Sequence, residues 1–176
     1  MEISVIAAQS LDGFIAKHQT PGTAFTSKAD KLHFSRMLSS FDVSIMGRST
    51  YETSKDLIRS RLNPARCRFV MTRSPDTWAA EAVDGQLEFT REAPSALIER
   101  LRKQGHRRCA ILGGSQIHSL FLESGLVDFL IITLEPRLFG QGVPFLHHRA
   151  DLSLTLASTE RLADSDSLLL TYRVKK

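Results

Sequence analysis

The segment Cys109 to Ile117 constrains this chain most. An apolar run from Cys109 to Leu112 meets two glycines, Gly113-Gly114, and passes straight into a segment that reads as a helix, Ser115 to Glu123. A strand that turns into a helix without a side-chain cap leaves backbone N–H groups bare at the helix start, where the positive end of the helix dipole attracts anions. Glycine lets a ligand approach the backbone because no Cβ stands in the way. The same Gly-Gly also serves as a plain tight connection, so the segment by itself admits both readings.

The rest of the chain repeats the theme. Glu2 to Ala8 reads as a buried first strand, followed by a turn at Ser10-Leu11-Asp12-Gly13 and a short apolar piece, Phe14-Ile15-Ala16. His18 to Ala24, with Pro21-Gly22, reads as an exposed loop. Thr26 or Ser27 then caps a helix running to about Ser39. Asp42 to Met46 is a second strand, and Gly47-Arg48-Ser49-Thr50 is a second strand-to-helix turn, leading into a helix from about Thr50 to Arg59. Asn63-Pro64 breaks that helix, and further strands are expected at Arg68–Thr72, Leu87–Phe89 and Arg108–Leu112, with a helix from Ser95 to Gln104 behind Pro94. Leu126 to Glu135 is nearly continuous in apolar residues and belongs inside a sheet. Asp151–Arg161 and Ser167–Lys175 alternate and are joined by Ala163-Asp164-Ser165-Asp166, a C-terminal hairpin.

Strands alternating with helices and a closing hairpin predict a three-layer α/β protein, with a mostly parallel mixed sheet, an antiparallel edge and helices on both faces. With 176 residues and no linker or repeat, the whole chain, 1–176, is expected to be one domain. The 42% hydrophobic and 24% charged composition is that of a soluble globular protein, and no apolar run approaches membrane-spanning length. The acid at Glu2 argues against a secretory signal, and Cys67 and Cys109 read as buried thiols of a cytoplasmic protein. No Cys/His cluster has metal-ligand spacing; His147 and His148 are adjacent, and neighbours rarely point at one metal. The net charge of +4 is spread along the chain without interleaved aromatics, which argues against nucleic acid and fits a small anionic ligand or a solvated surface.

Ligands of parallel sheets gather beyond the carboxyl ends of the strands. Gly47-Arg48, Thr72-Arg73 and Gly113-Gly114 all stand at expected strand ends. Arg48 and Arg73 either face water or clamp phosphate through the planar guanidinium fork, and Thr50 could add its hydroxyl. Asp30 in a first helical turn complements the helix dipole; four residues before Phe34, it also shares a face with that ring and could hydrogen-bond a heterocycle packed on it. With no nucleophile and no metal in view, such a site suits chemistry carried by a cofactor, such as hydride transfer.

These residues resemble the dihydrofolate reductase-like fold, which includes the dihydrofolate reductases and the C-terminal reductase domain of riboflavin-biosynthesis deaminase/reductases. The resemblance rests on Ile6-Ala7-Ala8, Asp12-Gly13-Phe14-Ile15-Ala16, Asp30 with Phe34, and Ile45-Met46-Gly47-Arg48-Ser49-Thr50-Tyr51-Glu52. It continues through Pro64-Ala65-Arg66, Ile111-Leu112-Gly113-Gly114-Ser115 and Leu134-Glu135-Pro136-Arg137-Leu138-Phe139-Gly140-Gln141-Gly142, the last more typical of the riboflavin-type branch. It implies NADPH-dependent reduction of a pterin- or pyrimidine-like ring by a homodimer paired through sheet edges. On that resemblance Ala8 and Ile15 line the nicotinamide. Gly47, Arg48, Ser49 and Thr50 hold phosphate, Thr72 and Arg73 lie near the adenosine 2′-phosphate, and Gly113, Gly114, Ser115, Gln116 and Ile117 wrap the pyrophosphate. Asp30 would anchor substrate as the catalytic acid, with Phe34 and Thr133 beside it, and Arg66 would take a carboxylate tail. The chain departs from both branches: no Trp follows Pro21-Gly22, no Ala-Asp-Asp-Pro-like stretch follows Thr50, and the zinc deaminase half is missing. A phosphoribosylamino-uracil reductase, a dihydrofolate reductase and a non-catalytic nucleotide-binding module all remain compatible with the sequence.

Overall fold

The computed structural model describes residues 1–17, 22–148 and 150–176. Its frame is an eight-stranded sheet. The strands are β1 (Glu2–Ser10), β3 (Val43–Gly47), β4 (Cys67–Met71), β5 (Leu87–Thr90), β6 (Arg108–Ile111), β7 (Phe129–Glu135), β9 (Leu154–Arg161) and β10 (Leu168–Val174). They lie in the order β5-β4-β3-β6-β1-β7-β10-β9. All pairings from β5 across to β7 are parallel, and β10 adds antiparallel to β7 and to β9. The helices are α1 (Lys28–Leu38), α2 (Arg48–Arg59), α3 (Pro94–Lys103) and α4 (Ser115–Glu123). This is the expected three-layer α/β architecture with its C-terminal hairpin.

The period-two alternation of the strands sorts the core into two layers. Ile3, Val5, Val43, Ile45, Cys109, Ile111, Leu130 and Ile132 point to one face, where they pack with Leu97, Ile98 and Leu101 of α3 and Ile117, Phe121 and Leu122 of α4. Ile6 and Ala110 point the other way and meet Phe34, Met37 and Leu38 of α1; Met46 and Val70 meet Tyr51 of α2. The sheet is therefore covered on both sides, which is why its central strands read as almost unbroken apolar runs.

Two elements escaped the sequence reading. Pro75–Glu81 forms a 3-10 helix, whose Trp78 stacks on Phe89 at 5.5 Å while Tyr51 meets both rings edge-on. Gly142–Pro144 forms β8, which pairs with β2 (Phe14–Lys17) as a separate antiparallel ribbon. Three residues without alternation carry no strand signal. The pairing depends on close approach, because a Cβ on Gly142 would stand 2.4 Å from the Ala16 carbonyl oxygen. The expected strand at Leu126 begins instead at Phe129, because the Asp128 carboxylate accepts from the Ile3 N–H at 2.9 Å and fixes the entry to β7. Of the expected loop His18–Ala24, residues 18–21 lie outside the described residues. Among the described residues no helix is long and apolar enough to cross a membrane.

Phe121 is fully buried between α4 and the sheet, whereas Leu138 is 73% exposed. Phe121→Ala is expected to cost about 3–5 kcal/mol by combined transfer and cavity loss, and Leu138→Ala to fall within about 0.5 kcal/mol of wild type. Urea unfolding of the two variants checks both.

Candidate active site

A cavity of about 1150 Å³ opens beyond the carboxyl ends of β1, β3, β4, β6 and β7. Its first half is built by two strand-to-helix turns. β3 ends at Gly47, the N-cap of α2, and β6 leads through Gly113 to Gly114, the N-cap of α4; neither helix has a side-chain cap. The turns are joined directly, since the Gly47 N–H donates to the Gly113 carbonyl at 2.7 Å. Two helix N-termini with uncapped amides therefore stand side by side, the arrangement that favours anions. Arg48, Ser49 and Thr50 border the cavity from α2, Thr72 and Arg73 from the end of β4, and Gly114, Ser115, Gln116 and Ile117 from α4.

Arg73 is exposed and forms no ion pair among the described residues. Arg48 is held by Glu52 one turn along α2, at 2.9 Å, with both side chains largely solvated. A solvated pair of this kind contributes at most about 1 kcal/mol and yields readily to a phosphate. Gly113 differs from expectation. It does not border the cavity; it lies behind Gly114, joined to it by a cis peptide, with φ +97° and its carbonyl engaged by Gly47. A Cβ at this position would stand 2.8 Å from Nε2 of His118, so space and backbone both demand glycine.

The second half of the cavity is more apolar. Ile6 and Ala8 of β1, Ile15 of β2, Phe34 of α1 and Thr133 of β7 border it together with Asp30. Strand pairing sets Ala8 opposite Thr133, on the sheet face that α1 covers. Asp30 is the single acidic residue among the described cavity residues. Its position is fixed by the start of α1: Ser27 accepts from the Asp30 N–H at 3.0 Å, and the Ser27 N–H and hydroxyl both donate to the buried Glu135 carboxylate, at 2.9 and 3.1 Å. Ser167 donates to the other Glu135 oxygen at 2.8 Å, tying α1 to the hairpin. The Asp30 carboxyl is 7% exposed, and burial holds it above the usual carboxylate range, with the Thr133 hydroxyl pulling in the opposite direction.

Arg66 is not part of this assembly. It stands just before the first residue of β4, at the amino end of a parallel strand, while the cavity lies at the carboxyl end where Thr72 and Arg73 are found. The sequence reading also passed over His118 and Trp78, which both border the cavity. His118 follows Ser115 by three residues and so shares its helix face, a signal that was present in the sequence. Its ring is buried, which pushes it down to about 4, and its Nδ1 lies 3.1 Å from the Phe145 carbonyl. Trp78 gave no such signal, because its segment has no periodicity.

A family model described as the RibD C-terminal domain matches residues 2–167. The chain belongs to the RibD C-terminal domain family. The uncharacterized protein YwjB of Bacillus subtilis is 30% identical over 167 residues, 92% of each chain. Among solved structures, a putative riboflavin biosynthesis protein from Shewanella sp. PV-4 superposes with a TM-score of 0.73 at 25% identity over the full length of both chains. Acinetobacter baumannii RibD gives a TM-score of 0.79 at 18% identity; the alignment covers 99% of this chain and 58% of that one. A pyrimidine reductase-like protein from Corynebacterium diphtheriae gives 0.76 at 13% identity, covering 99% and 92%. This RibD-type domain thus has the fold of the riboflavin-pathway reductases, the dihydrofolate reductase-like fold that the sequence resembles.

The buried Asp30 gives the RibD-type domain a defined pH response. A carboxyl raised in the folded state binds its proton more tightly there than in the unfolded chain, so its contribution to stability is present below the unfolded value and declines as pH rises through the folded one. Asp30→Asn is expected to be more stable than wild type at pH 7, with the difference vanishing below about pH 4. Denaturant melts of the pair across that range measure it.

Proposed function

We propose that this RibD-type domain is an NADPH-dependent reductase that delivers hydride to a C=N or C=O bond of a pyrimidine- or pterin-like heterocycle. The observation that carries the reading is the division of the cavity. One half offers two uncapped helix N-termini with Arg48 and Arg73, and the other offers an apolar wall ending in one buried carboxyl. The donor set fits a dinucleotide: bare amides and two guanidinium groups suit its phosphates, and the volume exceeds the 300–1000 Å³ typical of a single small-ligand pocket.

When bound, NADPH supplies the hydride. The chain's residues do the rest. Ser115, Gln116 and the α4 amides hold the pyrophosphate; Arg48, Ser49 and Thr50 add phosphate contacts, and Thr72 with Arg73 faces the adenosine 2′-phosphate. Ala8 and Ile15 flank the nicotinamide and exclude water, which strengthens every electrostatic contact inside. Phe34 packs on the heterocycle, and Asp30, supported by Thr133, hydrogen-bonds its polar edge. An acid whose burial raises it retains a proton at higher pH than an exposed one, which suits Asp30 to proton delivery beside the hydride acceptor. Positioning of the two rings accounts for much of the acceleration. The substrate classes that fit are an aminopyrimidine ribose-phosphate and dihydrofolate.

The reading includes a homodimer. β9 is an outer strand whose eight residues are all exposed, with Leu156 at 53%, and an open edge of this kind is a template on which a second copy can pair. Sedimentation is expected to give a dimer for wild type and a monomer for Leu156→Lys.

Fluorescence titration tests the cofactor site. Micromolar or tighter binding of NADPH is expected, weaker binding of NADH, and about a tenfold loss of NADPH affinity in Arg48→Ala, the effect of removing one charge-assisted contact. Arg66→Ala should bind like wild type. If neither nucleotide binds, the reductase reading fails; binding of NADPH that no pterin or pyrimidine oxidises favours the non-catalytic nucleotide-binding module.

A further inference from the structure

Strand order arranges the cavity rim into a sequence of chemistries. From β4 through β3, β6 and β1 to β7, the strand ends present Thr72 and Arg73, then Gly47 and Arg48, then Gly114 and Ser115, then Ala8 and Thr133. At the β4 end the rim also holds Trp78, the single tryptophan of the chain. β4 and β1 are three strand spacings apart, about 14 Å at roughly 4.7–4.9 Å each. One small ring cannot bridge that span. Two rings joined by a diphosphate can.

Local bonds return Trp78 to the rim. The Ser74 N–H donates to Thr72 Oγ1 at 3.3 Å, the Thr77 hydroxyl donates to the Ser74 carbonyl at 2.7 Å, and Pro75 starts the 3-10 helix Pro75–Glu81. The far end of that helix is fastened to α2. The Glu81 carboxylate accepts from the Tyr51 hydroxyl at 2.6 Å and from Lys55 Nζ at 2.5 Å, and the Glu81 carbonyl accepts from Arg59 at 3.1 Å. The indole lies against the buried cluster of Met46, Tyr51, Val70, Leu87 and Phe89 and stays half-buried itself. Phe89 stacks on one face, with ring centroids 5.5 Å apart and planes inclined by 14°. Tyr51 stands 6.0 Å from Trp78 and 5.2 Å from Phe89. A tyrosine over the opposite face would have the indole between itself and Phe89 and so lie further from Phe89 than from Trp78. Tyr51 therefore sits beside the stack. Neither ring covers the second face of Trp78, and part of the indole borders the cavity.

We propose that Trp78 is the platform for the purine base of the bound dinucleotide: the base packs on the uncovered side of the indole, while Arg73, five residues earlier, meets phosphate on the attached ribose. The proposal rests on the reading that the cavity takes NADPH, and it gives the second ring of that ligand a place. A purine has an uncharged π-face, which an aromatic ring receives well. The grip of α2 on Glu81 holds the platform in position before the ligand arrives, so little ordering entropy is lost on binding.

Adenosine 2′,5′-bisphosphate, the adenylate half of NADPH, is the probe, because it does not absorb indole emission and any change it causes arises at the indole itself. With one tryptophan in the chain, all indole fluorescence comes from Trp78. The bisphosphate, at saturation fixed by calorimetry, is expected to change Trp78 emission and to shield it from quenching by acrylamide. Calorimetry is expected to show Trp78→Ala binding the bisphosphate and NADPH about tenfold more weakly, with Trp78→Phe, which keeps a ring, within about threefold of wild type. Thermal melting shows which variants are folded; if Trp78→Ala is not, the emission and quenching of the wild-type protein decide alone. Emission and quenching that stay unchanged at saturation overturn the proposal, as does a folded Trp78→Ala with wild-type affinity. NADPH that binds where the bisphosphate does not also overturns it. Each of these outcomes leaves the reductase reading standing, whereas a protein that binds neither NADPH nor the bisphosphate removes both.

Discussion

The hydrogen bond from the Gly47 N–H to the Gly113 carbonyl is the joint on which the cavity depends. β3 and β6 are parallel neighbours, so their carboxyl ends already lie at the same rim. The bond locks the turn after one strand to the turn after the other, and the two helices that follow start side by side. Each uncapped N-terminus is an ordinary local consequence of glycine at the N-cap. Their convergence is not local, and it turns two weak anion preferences into one site broad enough for a ligand with several phosphates.

The opposite wall is organised by a carboxylate that never reaches the cavity. Glu135, 2% exposed, accepts from Ser27 of the α1 cap and from Ser167 of the hairpin, and so fixes where α1 begins. Asp30 is three residues along from that cap and Phe34 one turn further, so the geometry of the apolar half follows from a polar contact behind it. Sequence order separates Ser27, Glu135 and Ser167 widely, and nothing in the chain announces that they meet. Their contact is also what gives the buried Asp30 a rigid support in place of a solvated first turn.

How much of this was legible varies with the range of the interaction that decides it. Gly47-Arg48-Ser49-Thr50 and Gly114-Ser115-Gln116-Ile117 were readable because strand-to-helix turns are local, and Asp30 with Phe34 because helix spacing is local. Gly113 was placed in the right turn, where it stands behind Gly114 with its carbonyl accepting from Gly47. Arg66 resembled a substrate arginine by its neighbours Pro64 and Ala65. The direction of β4 puts it at the far end of the sheet, and a parallel strand offers its amino and carboxyl ends to opposite rims. Trp78 and the short strand Gly142–Pro144 lacked periodicity and became visible only through the elements they pack against.

The sequence by itself determined the alternation of strands and helices, the closing hairpin, the glycine turns and the residue types at the strand ends. Each of these is set by backbone sterics, side-chain period and capping over a few neighbouring residues. The tertiary structure alone decided which strand ends share a rim, that Glu135 sets the start of α1, and that the buried His118 Nε2 has no partner among the described residues. Those outcomes depend on hydrogen bonds and packing between segments far apart in the chain, and an acceptor is known to be unpaired only after every group around it has been placed.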